Sequence, residues 1–234
     1  MRIPNIKFLI EPKQDILVYF VFEKEIKISH RGHIMEAYFF KNHPQLRILK
    51  KIKNKKKKEK LLSDYVVDYY RKHNAIMKKR VKEIKERWNK VKYQFFNLAN
   101  KLFQNHPWPK GKYIAYVTIW GIYPRDIKEK IFFIPYKDKK LALEVIAHEM
   151  LHFIFYDYLY SHYPKYKKKR YQKKIWKISE SFNATIQNQR EWIAIFHKRP
   201  EVYPALKKLT QKIKKIWREK KDIDYLLRKI LPRK

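Results

Sequence analysis

The clearest pattern along the chain is a series of apolar residues that recur at alternating spacings of four and three. The series runs through Met77, Val81, Ile84, Trp88, Val91, Phe95, Leu98 and Leu102. Because an α-helix has 3.6 residues per turn, this spacing places the apolar side chains on one face, while Lys and Arg fill the others. The pattern predicts one long helix, from about Leu61 to Gln104, that backs a hydrophobic core. A coiled-coil dimer through the same face is the alternative.

Shorter apolar runs predict the remaining elements. Strands are expected at Asp15–Phe22, Ile34–Phe40, Tyr113–Trp120 and Ile131–Tyr136. Further helices are expected over about 140–160, 171–190, 203–220 and 222–231. The predicted fold class is therefore α+β, with a small β-sheet beside the long backing helix.

Changes in composition divide the chain into three regions. Residues 1–60 are predicted to form a β-rich N-terminal extension that ends in a lysine-rich linker, KKIKNKKKKEK, which should stay solvated. Residues 61–190 are predicted to form the functional core. Residues 191–234 are expected to form a basic helical tail.

Composition and charge narrow the classes of function. The chain has no cysteine, which excludes disulfides and thiolate metal ligands, so a metal must be held by His, Asp or Glu. No secretory signal and no apolar run long enough to span a bilayer are present, and we expect a cytoplasmic protein. The net charge of +36 would attract nucleic acid non-specifically, but lysine is spread over every segment, and compositional drift is the favoured interpretation.

The candidate chemistry lies in the segment LALEVIAHEMLHFIFYDYL, which is apolar on nearly every face and predicts a buried helix. His148 and His152 are one turn apart and project side by side, so both imidazoles can bind a single Zn²⁺. Glu149 can reach a zinc-bound water and take its proton as that water attacks a carbonyl. Two structural histidines with a structural glutamate are the alternative, but burying these groups without partners would cost several kcal/mol.

A catalytic zinc site needs a third protein ligand and leaves the fourth position open. Glu180 is the best candidate, because it lies among apolar residues on the next predicted helix; an ordinary surface glutamate is the alternative. Asn183, one turn further on, could hydrogen-bond a ligand imidazole. His162 and Asp157 are rival ligands. His162 would lie about 15 Å beyond His152 along an unbroken helix, which disfavours it.

Two strands, an HExxH helix and a later helix bearing a glutamate resemble the gluzincin branch of the zincin metallopeptidases, and the soluble, minimal gluzincins most closely. The resemblance covers about residues 61–190. It implies that His148, His152 and Glu180 are zinc ligands and that Glu149 is the general base and acid. It also implies that one of the strands Tyr113–Trp120 and Ile131–Tyr136 holds substrate by β-addition.

The sequence departs from this family in two places. Many members have an acidic residue four positions after the glutamate, where this chain has Ala184. No residue matches the family's oxyanion-stabilising His or Tyr, and Tyr160, His162, His197 and Tyr203 are all candidates.

The functional hypothesis is a zinc metalloendopeptidase that hydrolyses peptide or protein substrates. Two alternatives stay open. One is a nucleic-acid-associated protease, or a DNA-binding protein, that uses the basic surface. The other is an inactive or self-inhibited scaffold whose C-terminal tail covers the cleft. The substrate and the oligomeric state do not follow from the sequence.

Overall fold

A computed structural model describes residues 3–29, 35–197 and 202–232. The chain divides into two compact units. The sheet unit comprises Ile6–Glu86 and Lys112–Ala142, and the helical unit comprises Met1–Asn5, Arg87–Gly111 and Leu143–Lys234. The predicted α+β class is confirmed, since helices dominate the described residues and a small mixed sheet accompanies them.

The sheet has four strands: β1 (Ile6–Leu9), β2 (Tyr113–Thr118), β3 (Arg125–Asp126) and β4 (Ile131–Pro135). Their order is β1-β2-β4-β3, with β1, β2 and β4 parallel and the short β3 antiparallel to β4. Ile6 is opposite Tyr113, and Ile114 is opposite Ile131. Side chains of β2 and β4 are buried on both faces, as is usual for parallel sheets.

This strand order corrects one implication of the resemblance. Both predicted strands are present, as β2 and β4, but each lies between two neighbouring strands. A peptide that adds to a sheet needs a free edge of unpaired backbone groups. The order therefore argues against β-addition of substrate at β2, whereas the two-residue β3 pairs with only Ile131 and Phe132 of β4.

The helices begin with α1 (Pro12–Ser29), and the predicted long helix is α2 (Lys55–Leu102). The predicted helix containing the HExxH motif is α3 (Lys139–His162), and the glutamate-bearing helix is α4 (Lys169–Gln187). Further along the chain follow α5 (Arg190–Phe196), α6 (Lys207–Glu219) and α7 (Ile223–Ile230). Within the described residues no helix is both long and apolar enough to cross a bilayer.

Three predictions for the N-terminal region are wrong. The segment Asp15–Phe22 is helical, because it lies within α1, and residues 36–40 form a π-helix. Ile34 lies outside the described residues. The lysine-rich linker is not wholly solvated either, since α2 begins at Lys55, and Lys58 is buried with its Nζ 2.6 Å from Glu23 Oε1.

The helical unit has an aromatic core centred on α4. The Phe182 ring is fully buried and lies 5.2–6.1 Å from the rings of Phe155 on α3, Phe103 and Trp217 on α6. Packing of this kind fixes α4 against α3. The two helices that bear the predicted ligands are thus held together by aromatic contacts close to those ligands.

Candidate metal centre

Helix α3 supplies the first three residues of the site. It starts where Asp138 Oδ1 accepts hydrogen bonds from the backbone N–H groups of Lys140 and Leu141, both at 2.9 Å. It then runs unbroken to His162, as predicted. His152 is fully buried, Glu149 is 3% exposed, and His148 keeps 22% of its side chain exposed. The site therefore lies in the core, with His148 on its solvent side.

Helix α4 brings Glu180 to the two histidines. Glu180 Oε2 lies 3.1 Å from His148 Nε2, Glu180 Oε1 lies 3.4 Å from His152 Nε2, and the two Nε2 atoms are 3.0 Å apart. Glu180 is only 4% exposed, which excludes an ordinary surface glutamate. Among the described residues, these three form the one group of potential metal ligands with donor atoms within 4.8 Å of one another.

The spacing of the donor atoms fits a zinc ion. With metal–ligand bonds of about 2.0–2.1 Å and tetrahedral angles, neighbouring ligand atoms lie about 3.3 Å apart. The two Nε2 atoms are 3.0 Å apart and lie 3.1 and 3.4 Å from different oxygens of Glu180, so all three separations are close to that value. Two imidazole nitrogens and one carboxylate oxygen are also a ligand set that catalytic zinc uses. The residues present therefore fit the ion that the sequence motif predicts.

The outer nitrogen of each imidazole has its own partner on α4. His148 Nδ1 donates to Gln187 Oε1 at 2.8 Å, because an amide oxygen can only accept. His152 Nδ1 lies 2.5 Å from Ser179 Oγ, which can accept the same proton. With a proton on Nδ1, each neutral ring presents the Nε2 lone pair to its neighbours. Nε2 is an atom through which a neutral imidazole coordinates a metal ion, so both rings are oriented as ligands of one ion would be.

Asn183 lies at the site, but its acceptor differs from the prediction. Its Nδ2 donates to the backbone carbonyl of His148 at 3.0 Å and not to an imidazole. Asn183 is fully buried and fixes the main chain of α3 against α4. Asn183 was expected to orient a ligand imidazole. Gln187 has this role instead, because its Oε1 accepts the hydrogen bond from His148 Nδ1.

The rival ligands are engaged elsewhere. His162 donates from Nδ1 to the carbonyl of Tyr158 at 2.9 Å and stacks on the Tyr158 ring. Asp157 lies 2.8 Å from His106 Nε2. Neither belongs to the cluster of His148, His152 and Glu180.

A pocket of about 250 Å³, counting its open mouth, adjoins the cluster. It is lined by His148 and Glu180 together with Ala184, Val202, Tyr203, Leu206 and Thr210. Tyr203 is thereby the one oxyanion candidate that lines this pocket. Tyr160 lies on α3, two turns beyond His152, and burial raises its pKa to about 12. His197 caps the C-terminal end of α5, and its backbone has the left-handed conformation.

Sequence reasoning missed Ser179 and Gln187. A usable signal was present, because Ser179, Asn183 and Gln187 recur every four residues on one face of the predicted helix that carries Glu180. The C-terminal segment that lines the pocket belongs to the region predicted as a separate tail.

In comparisons with known proteins, the chain matches no family model, no curated protein and no solved structure.

Proposed function

We propose that the protein is a zinc-dependent metallopeptidase that hydrolyses peptide bonds. The observation that supports this most strongly is the convergence of His148 Nε2, His152 Nε2 and Glu180 on one point, with Glu149 directly after the first histidine. Three protein ligands leave one position of a tetrahedral site for water or substrate, which distinguishes catalytic from structural zinc sites.

The choice of zinc rests on the donors and their surroundings. The cluster offers nitrogen and oxygen donors and no sulfur, and one buried carboxylate partly offsets a divalent charge. Hard cations such as Mg²⁺ prefer sets made of oxygen alone. When bound to such a set, zinc polarises the substrate carbonyl and lowers the pKa of water.

Glu149 is the proposed proton carrier. It lies on α3 between the two histidines and is almost completely buried. We propose that a Glu149 carboxylate oxygen accepts a proton from the attacking water and then delivers it to the leaving amine nitrogen. The new C–O bond forms first, the peptide C–N bond breaks as the amine nitrogen receives this proton, and no other reactant is needed. We propose that Tyr203, which lines the pocket, donates its hydroxyl proton in a hydrogen bond to the developing oxyanion.

We also infer a zincin-like fold. The support is the order of elements, since strands β2 and β4 precede the HExxH helix, and the helix bearing Glu180 follows it. The arrangement of β2 and β4 between neighbouring strands is the feature that fits this inference least.

Metal analysis combined with a peptide-library digest tests the proposal. The purified protein should contain about one zinc per chain and cleave some library peptides. Glu149→Gln should keep its zinc and its fold, yet lose hydrolysis by about 10²–10⁴-fold, because the general base is gone while the ligands remain. Asp157→Asn changes a carboxylate of the same helix that faces His106, and it should stay active. Equal hydrolysis by wild type and Glu149→Gln would overturn the mechanism.

A further inference from the structure

The pocket beside the metal cluster has two walls. One is a stripe of α4 on which Glu180 and Ala184 line the pocket, and Trp176 lies on the same stripe one turn before Glu180. The other is the segment from Val202 to Thr210, which leads into α6. The Tyr203 ring lies 6.3 Å from the Trp176 ring, so the segment follows this stripe over two turns of α4.

Thr210 is the unusual residue of this second wall. Helix α6 buries Ile213, Ile216 and Trp217, and Leu206 is buried one turn before Thr210, so Thr210 lies within an otherwise apolar face. Thr210 is 7% exposed, and its Oγ1 has no hydrogen-bond partner among the described residues. A buried hydroxyl without a partner lowers the stability of the folded protein. Valine has the same shape and would avoid this cost.

A residue that lowers stability in this way is expected where it serves a ligand. Thr210 lines the same pocket as His148 and Glu180, and a rotation about its Cα–Cβ bond exchanges the positions of its hydroxyl and its methyl group. A ligand in the pocket can therefore supply the missing partner. Val202 and Leu206 on this wall and the facing Ala184 are apolar, so the ligand must combine a hydrocarbon part with a hydrogen-bonding group.

We propose that this pocket binds the side chain of a substrate residue next to the hydrolysed bond, and that it selects threonine or serine through a hydrogen bond with Thr210 Oγ1. This inference rests on the proposed function. A threonine side chain matches the lining, because its methyl group packs against Ala184 and Leu206 while its hydroxyl pairs with that of Thr210. Valine, of the same shape, leaves the Thr210 hydroxyl unpaired.

The test uses binding, so that it does not depend on turnover. Short peptide hydroxamates bind zinc through the hydroxamate, and two of them that differ only in a threonine or valine side chain next to that group are titrated into the zinc-loaded protein. The threonine compound should bind about tenfold more tightly, as one satisfied hydrogen bond allows. Thr210→Val should abolish this preference, and Thr210→Ser should keep it.

Thermal unfolding provides a second measurement. Thr210→Val should raise the Tm of the free protein, because it removes an unpaired buried hydroxyl. The matched control is Thr185→Val on α4, whose equally buried hydroxyl donates to the carbonyl of Ser181 at 2.8 Å. That variant should not gain stability, and it should keep the preference for threonine.

The outcomes separate the two proposals. Equal binding of both hydroxamates to the wild type would overturn the pocket's selectivity while leaving the metal centre supported. A preference that persists in Thr210→Val would overturn the role of Thr210. Failure of both hydroxamates to bind the zinc-loaded protein would overturn the proposed function, and the subsite with it.

Discussion

Gln187 provides a sharp test of how the zinc ligands are oriented, because its one contact with His148 can be removed without touching a ligand. We expect Gln187→Leu, which keeps a side chain of similar size, to leave His148 Nδ1 without its acceptor at 2.8 Å. A hydrogen bond of this kind contributes about 0.5–1.5 kcal/mol, and an unpaired buried N–H adds a further penalty. At 1.4 kcal/mol per factor of ten, zinc affinity should fall about tenfold, within the 10–100-fold range seen for such partners of metal ligands.

The assay is competition for zinc against a chromogenic chelator at neutral pH. Gln187→Glu should bind zinc more tightly than the wild type, because a carboxylate partner makes the imidazole more basic. The matched control is Gln189→Leu, since Gln189 Nε2 donates to the carbonyl of Thr185 at 2.9 Å and to no histidine. Wild-type affinity in Gln187→Leu, or an equal loss in Gln189→Leu, would refute the assigned role.

Three further predictions concern stability and the basic surface. Burial raises the pKa of Asp15 from 3.8 to about 6, so its contribution to stability is present below pH 3.8 and is lost as pH rises through 6. The free energy of unfolding measured in urea should therefore fall by about 3 kcal/mol between these two pH values, and the fall should be absent in Asp15→Asn. Duplex DNA should bind only in the non-specific range, about 10⁻⁴–10⁻⁶ M, and more weakly as salt rises; sub-micromolar binding at physiological salt would show that the basic surface is functional. Removing residues 207–234 should lower the Tm and not activate the enzyme, because Trp217 and Leu227 are buried; a folded truncation with higher activity would favour self-inhibition.

The elements that define the candidate site followed from the sequence because each has a strong local signal. The series of apolar residues that includes Ile84 and Phe95 has helical spacing over many turns, and both residues are fully buried in the structure. The HExxH motif fixes a spacing of four on a helix, which determines where His148 and His152 point regardless of tertiary context.

Helix α1 could not be recognised in the same way. Its buried residues Asp15, Val18, Tyr19 and, in part, Phe22 have helical spacing, but Leu17 and Val21 are also apolar and more than half exposed. Apolar residues on both faces hide the period, and a run rich in β-branched and aromatic residues then favours a strand. The four-residue spacing of Ser179, Asn183 and Gln187 was visible in the sequence, but the partners of Ser179 and Gln187 depend on the packing of α4 against α3, which the spacing does not specify.

The central claim is that His148, His152 and Glu180 form one zinc site. The most direct measurement is zinc content by atomic emission after dialysis, compared among the wild type, Glu180→Ala and His162→Ala. The wild type and His162→Ala should keep about one zinc per chain, since His162 is engaged with Tyr158. Glu180→Ala should lose most of its zinc, because the site loses its anionic ligand. Full zinc in Glu180→Ala together with loss in His162→Ala would contradict the account.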